Sequence, residues 1–116
     1  MDILKLVDIK DLAQNFLRAP RISKIDDGLF ITYDYEMDTG EYGEKSIIFE
    51  NALDFRHISE SDITPDMINA YNSIGVVVNS DWINDRLIAE THKHYIIYFD
   101  EYGAYEILAK NFQLSG

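Results

Sequence analysis

Hydrophobic positions along this chain change their spacing several times, and each change marks an element. Ile9, Leu12, Ala13 and Phe16 recur at helical spacing, which predicts a short helix over residues 8–18. Asp8 serves there as N-cap, Arg18 lies favourably at the C-terminal end, and Pro20 stops it. Residues 3–7 fit either an extension of that helix or a short strand. Residues 21–25 and 29–35 read as strands flanking Asp26-Asp27-Gly28, a hairpin turn whose glycine can supply a positive φ. In the second of them Leu29, Ile31, Tyr33 and Tyr35 alternate with Phe30, Thr32 and Asp34. Residues 37–43, with glycines at both 40 and 43, read as a loop into a strand at 45–50, and Asn51-Ala52 connects that to a strand at 53–58. These four segments fit an antiparallel meander.

A second helix starts at Thr64, with Pro65 at its first position, Asp66 in its first turn, and Met67, Ile68 and Tyr71 following. It ends near Asn72-Ser73. The β-branched run at 75–78 reads as a strand, and Ser80 caps a third helix that buries Ile83 and Leu87, with Trp82 alongside. Residues 94–99 and 104–109 form the clearest hairpin, joined by Asp100-Glu101-Tyr102-Gly103, while the last six residues carry no strong pattern. The expected fold class is α+β. We expect one domain over residues 1–116, built as one antiparallel sheet of about five to seven strands with two or three short helices on one face.

Composition narrows the functional classes. With 47% hydrophobic residues, eight Tyr and six Phe, the 116-residue chain has enough apolar material for a core despite its formal charge of −11. The absence of cysteine excludes disulfides, thiolate nucleophiles and cysteine metal sites. Apolar runs are far shorter than the roughly 20 residues that cross a bilayer. The start, Met1-Asp2-Ile3-Leu4-Lys5, does not read as a signal peptide, so a cytoplasmic location is expected. Charge is concentrated: residues 26–66 carry twelve acids against Lys45 and Arg56, whereas residues 1–25 balance at +2 and residues 67–116 at −3. Such acidity disfavours nucleic acid and anionic membrane as partners, because phosphate binding needs Lys and Arg.

Candidate chemistry is sparse. Asp34-Tyr35-Glu36-Met37-Asp38-Thr39-Gly40 places oxygen ligands at alternate positions, as a calcium loop does. It lacks that loop's glycine at the sixth position and glutamate at the twelfth, where Thr39 and Lys45 stand. His92 and His94 would share a face if extended, a spacing that can serve zinc, but a third ligand such as His57, Asp100 or Glu106 would have to come from folding. No Gly-x-Ser-x-Gly elbow or phosphate-cradling glycine loop is present, and Ser80, like Ser73 beside the 75–78 strand, has no catalytic context. No metal or cofactor is expected. Tyrosines mixed with carboxylates suit a protein interface, where rings supply contact energy and complementary charge speeds association.

A further pattern is Tyr71, Ser80-Asp81-Trp82, His94-Tyr95-x-x-Tyr98-Phe99-Asp100-x-x-Gly103-x-Tyr105-Glu106-x-x-Ala109. It resembles one found in small acidic bacterial proteins, which in turn are similar to the immunity proteins of bacterial toxin systems. The resemblance covers about a third of the chain, lies in its C-terminal half and carries no catalytic motif. It implies a protein that binds and blocks a basic toxin. The expected function is therefore an acidic protein-binding module that presents Asp34, Tyr35, Glu36, Asp38, Glu41, Tyr42 and Glu44 to a basic protein partner. The alternative is a small enzyme or a metal- or ligand-binding domain using His57, His92 and His94.

Overall fold

The C-terminal hairpin has no wet face, and that sets the layering of the molecule. The computed structural model describes residues 1–10, 12–13, 18–88 and 90–114. Its strands are β1 (Asp2–Asp8), β2 (Arg21–Ile25), β3 (Gly28–Glu36), β4 (Tyr42–Glu50), β5 (Asp54–Ile58), β6 (Ser73–Val78), β7 (Lys93–Phe99), β8 (Gly103–Ala109) and β9 (Asn111–Leu114). The single α-helix among the described residues is α1 (Asp81–Arg86), and Glu60–Asp62 and Pro65–Ala70 form 3₁₀ turns. Every residue of β8, and every residue of β7 after Lys93, is buried. A strand covered on both sides reads as a continuous apolar run rather than an alternating one, as 94–99 and 104–109 do.

Two antiparallel sheets result, ordered β1-β6-β7-β8-β5 and β2-β3-β4-β9. Leu29, Ile31 and Tyr33 of β3 with Ile47 and Phe49 of β4 pack against Ile74, Tyr95, Ile97, Phe99, Tyr105 and Ile107 of the larger sheet. On that sheet's far side Ile96, Tyr98, Ala104 and Val77 meet Met67 and Ala70 of the second 3₁₀ turn. The fold is thus a sandwich with short helical turns covering one outer face.

This corrects the α+β expectation: the protein is nearly all-β, with two sheets in place of one. Three physical reasons account for it. Residues 8–18 do not form a helix where they are described, because Ile9 and Leu12 pack into the core between the two sheets. Asp8 ends β1, Ile9 is buried, Leu12 bridges Tyr35 and the Ala13 N–H donates to the Asp34 carbonyl at 3.3 Å; Phe16 lies outside the described residues. The helix from Thr64 tightens into a 3₁₀ turn, and the one after Ser80 stops after six residues, where Leu87 turns left-handed at φ +57°. Residues 2–8 are a strand, paired with β6.

The four-strand meander is also corrected. β5 leaves its neighbours to pair with β8 in the other sheet, and β9, from the unpatterned C-terminal end, takes the place beside β4. At the first hairpin Ile25 pairs with Gly28, and Asp26, not the glycine, holds the positive φ (52°). Gly103 is where a glycine is indispensable: its φ is +88°, and a Cβ there would lie 2.0 Å from the Ile58 carbonyl oxygen. Gly103→Ala should therefore destabilise the protein by about 2–4 kcal/mol. Urea denaturation measures this, and an unchanged midpoint would contradict the tight approach of β5 to the turn.

Candidate functional site

Strand direction decides which side chains share an end of the molecule. Phe49, which pairs with Leu29, packs on Tyr95 with ring centroids 5.6 Å apart, and Tyr33 packs on Phe99 at 6.1 Å. β3 and β7 therefore advance together, and the β3–β4 loop emerges beside the β7–β8 turn. Leu12 bridges Tyr35 and lines a cleft of about 240 Å³ with Ala13, Tyr71, Asn72, Asp100, Glu101 and Tyr102. Gly103 abuts Ile58 and Glu60, which brings the first 3₁₀ turn to the same end. Carboxylates of Glu36, Asp38, Glu41, Glu60, Asp62, Asp100 and Glu101 thus gather at one pole with Tyr35, Tyr71, Tyr98 and Tyr102. Among the described residues no lysine or arginine forms a salt bridge with any of those seven acids.

The residues expected from sequence separate into two groups. Asp34 is 2% exposed; it accepts the Arg18 backbone N–H at 3.0 Å and faces the Arg21 guanidinium at 3.5 Å. Glu44 sits directly opposite Asp34 on the outer face of the smaller sheet and is paired by Arg18 and, at 3.3 Å, by Arg21. Like charges across a ladder repel, and the basic N-terminal segment supplies the cations that relieve this. Asp34 is thereby buried in an internal ion pair, while Glu44, paired by the same arginines, stays exposed. Tyr35 is half-buried beneath the Lys45 ammonium, 4.4 Å from the ring centroid, and Tyr42 is half-buried opposite Glu36. Glu36, Asp38 and Glu41 are exposed.

The acidic stretch as a whole does not form one patch. Asp26 and Asp27 turn at the opposite end of β3, Asp54 pairs with Arg86 at 2.6 Å, and Asp66 pairs with the N-terminal amine at 3.4 Å. Asp100 and Glu101, from the C-terminal half, join the pole instead; a two-sheet arrangement was needed to see it. Within the pole the Tyr98 hydroxyl donates to Glu60 Oε1 at 2.7 Å, and Tyr71 meets Tyr98 edge-on at 5.3 Å. The hydrogen bond to Glu60, then burial, then the charges of Glu60 and Asp100 push the Tyr98 phenol up to about 12. The Tyr71 phenol is raised as well, by burial first and then by the charge and hydrogen bond of Asp100.

At the other end of β7 lies an arrangement the sequence only hinted at. His94 (2% exposed) and Glu106 (fully buried) project from the same face of the hairpin, with His94 Nε2 2.7 Å from Glu106 Oε1. Arg56 from β5 donates through Nε to Glu106 Oε2 at 2.8 Å and lies 4.2 Å above the Trp82 ring, which meets His94 edge-on at 5.0 Å. Burial acts to raise the Glu106 pKa, but hydrogen bonds from His94 and Arg56, with their charges, overcome it and hold the carboxyl below its ordinary 4.5. A carboxylate can only accept, so His94 carries a proton on Nε2, and in the Nε2–H tautomer its Nδ1 accepts the Ser80 hydroxyl at 2.7 Å. Ser80 Oγ in turn accepts the Ile83 N–H at 3.3 Å, the N-cap bond.

The histidines do not assemble a metal site. Both His94 nitrogens are engaged, His57 Nε2 lies 2.6 Å from the Tyr102 carbonyl, and His92 Nδ1 lies 2.8 Å from Thr91 Oγ1. Among the described residues no group of three or more metal-binding side chains converges, and no helix is long and apolar enough to cross a membrane.

Two predictions follow from these ionisations. Tyr98 is favoured in its neutral form, so the stability it contributes is complete below pH 10 and is lost as pH rises toward about 12. Absorbance titration should show several late-ionising phenols, with Tyr98 among them, and Glu60→Gln should return Tyr98 toward 10; an unaltered titration curve would refute the Glu60 contact. Glu106 is favoured as its anion, so its contribution is complete above its ordinary 4.5 and disappears as pH falls through its lowered native value. Glu106→Ala, which strands Arg56 and the His94 N–H, should cost about 3–5 kcal/mol in urea unfolding; a loss under about 1 kcal/mol would mean that the pair is not buried. No family model matches this chain, and no curated protein or solved structure matches it significantly, so the geometry of these two ends is what any functional reading must rest on.

Proposed function

We propose that this protein is a binding module for a basic protein, and that it docks through the acidic, tyrosine-rich pole, as an immunity protein does when it blocks a toxin. The observation that carries the reading is the cleft between Tyr71 and Tyr102. Asp100, Glu101 and Asn72 also line it, and the exposed Glu36, Asp38 and Glu41 stand around the β3–β4 loop at the same end of the molecule. A lysine or arginine side chain from a partner would find carboxylates for its head and aromatic faces for its stem. Tyr71, 42% exposed, offers a large contact area with few torsions to freeze. Carboxylates that form no salt bridge among the described residues raise the encounter rate with a positive surface and leave their charge available to it.

The proposed interface is therefore Glu36, Asp38, Glu41, Tyr71, Asp100, Glu101 and Tyr102. Asp34 and Glu44 support it only by holding β3 and β4 in register. A titration of the ¹⁵N-labelled protein with an arginine-rich peptide, followed by amide shifts, locates the docking face. Shifts should concentrate at residues 36–42, 71–72 and 100–102, and the combined change Glu36→Gln, Asp38→Asn, Glu41→Gln, Asp100→Asn, Glu101→Gln should slow association roughly tenfold or more at low salt. Shifts spread evenly over the surface, or centred on Asp26 and Asp27, would contradict the proposal.

A further inference from the structure

The relay at the opposite end of β7 has a geometry that a cap and a buried ion pair do not require. Ser80, His94 and Glu106 stand in sequence with 2.7 Å at each step. That is the order nucleophile, base, carboxylate, with the two ring nitrogens exchanged relative to the usual serine triad. Ser80 also follows a strand-to-helix turn, where Asn79 is left-handed at φ +56°. Clefts of about 230 Å³ and 210 Å³ flank the pair, and both are lined by Ser80 and His94. Asn79, Asn84 and Lys93 line the first, so amide and ammonium groups border the cleft that an acyl substrate would enter. His94 to Phe99 spans five strand steps, so this end lies about 17 Å from the β7–β8 turn.

We propose that Ser80 is an activated nucleophile for acyl transfer, with His94 as its general base, acting on small esters that enter the cleft lined by Asn79, Asn84 and His92. Ser80 Oγ forms a bond to the ester carbonyl carbon as its proton passes to His94 Nδ1. The tetrahedral adduct then breaks its bond to the alcohol oxygen, which leaves with the proton from His94. Water reverses the sequence: it loses a proton to Nδ1, attacks the acyl carbon and releases the carboxylic acid, and Ser80 Oγ recovers its proton. Glu106 touches no reacting atom; it is a positioning residue that holds the imidazole in the tautomer whose Nδ1 faces Ser80.

The test uses the intact protein with a fluorophosphonate, in which Ser80 Oγ would bond to phosphorus as the P–F bond breaks and hydrogen fluoride is lost. 4-Nitrophenyl acetate is the companion probe. Mass mapping should find one adduct, on Ser80 and not on Ser73, formed at least a hundredfold faster than on a serine peptide, and the ester should release a burst of one equivalent of nitrophenolate. His94→Gln should slow labelling about a hundredfold while the amide spectrum stays native. No adduct on the native protein, a rate equal to that of the peptide, or equal labelling in a folded His94→Gln variant would each overturn the proposal. If His94→Gln unfolds, the ratio of native protein to peptide decides alone.

Discussion

A fully buried carboxylate in the middle of a β-sheet is the constraint around which this molecule is organised. Glu106 sits in β8 between neighbours that are themselves buried, and an uncompensated charge there would be prohibitive. Its two oxygens are therefore met from two sides, by His94 from β7 and Arg56 from β5, and Ser80 before α1 holds the far nitrogen of the His94 ring. Those contacts fix the register of β7 and β5 against β8 and seat the short helix on the sheet. Trp82 closes the arrangement by lying beneath the guanidinium and meeting the imidazole edge-on. A helix of six residues would be marginal alone, so its position depends on this polar clamp as much as on Ile83.

The hairpin that carries Glu106 also separates the two ends of the protein. At the His94 end the polar groups of Ser80, His94 and Glu106 are buried and satisfy one another. At the turn end the same two strands deliver Asp100 and Glu101 into solvent beside the half-buried Tyr102, where the β3–β4 loop and the Glu60 turn add more carboxylates. The difference lies in cations. Arg18 and Arg21 are used on Asp34 and Glu44, Arg56 on Glu106, and Arg86 on Asp54. Arginine therefore stabilises the sheets from within, and the turn end keeps its negative potential.

Local pattern made the hairpins legible from sequence: alternation in 29–35 and the apolar runs around 100–103 reported strands that pair with their chain neighbours. Sheet membership was not legible, because β5 and β9 choose partners about fifty residues and more away, on criteria of burial that no local window contains. The helix expected over 8–18 failed for a related reason, since Ile9 and Leu12 bury against two sheets instead of one helical stripe. Asp34 looked like a surface acid because its strand alternates; its place opposite Glu44, with two arginines upstream, was the sign of an internal ion pair. The relay could have been found. His94 and Glu106 are the polar residues in otherwise apolar strands, and folding the hairpin about 100–103 sets them diagonally on one face.

The most direct measurement is the ionisation of Glu106 itself. Carboxyl ¹³C resonances followed through an acid titration, with long-range ¹⁵N–¹H correlations of the His94 ring, read both members of the clamp in the native protein. A Glu106 carboxyl that remains ionised below its ordinary 4.5, and a His94 ring with a proton on Nε2, are expected. A carboxyl that takes up its proton above that value, or a ring protonated on Nδ1 alone, would show that the clamp does not hold.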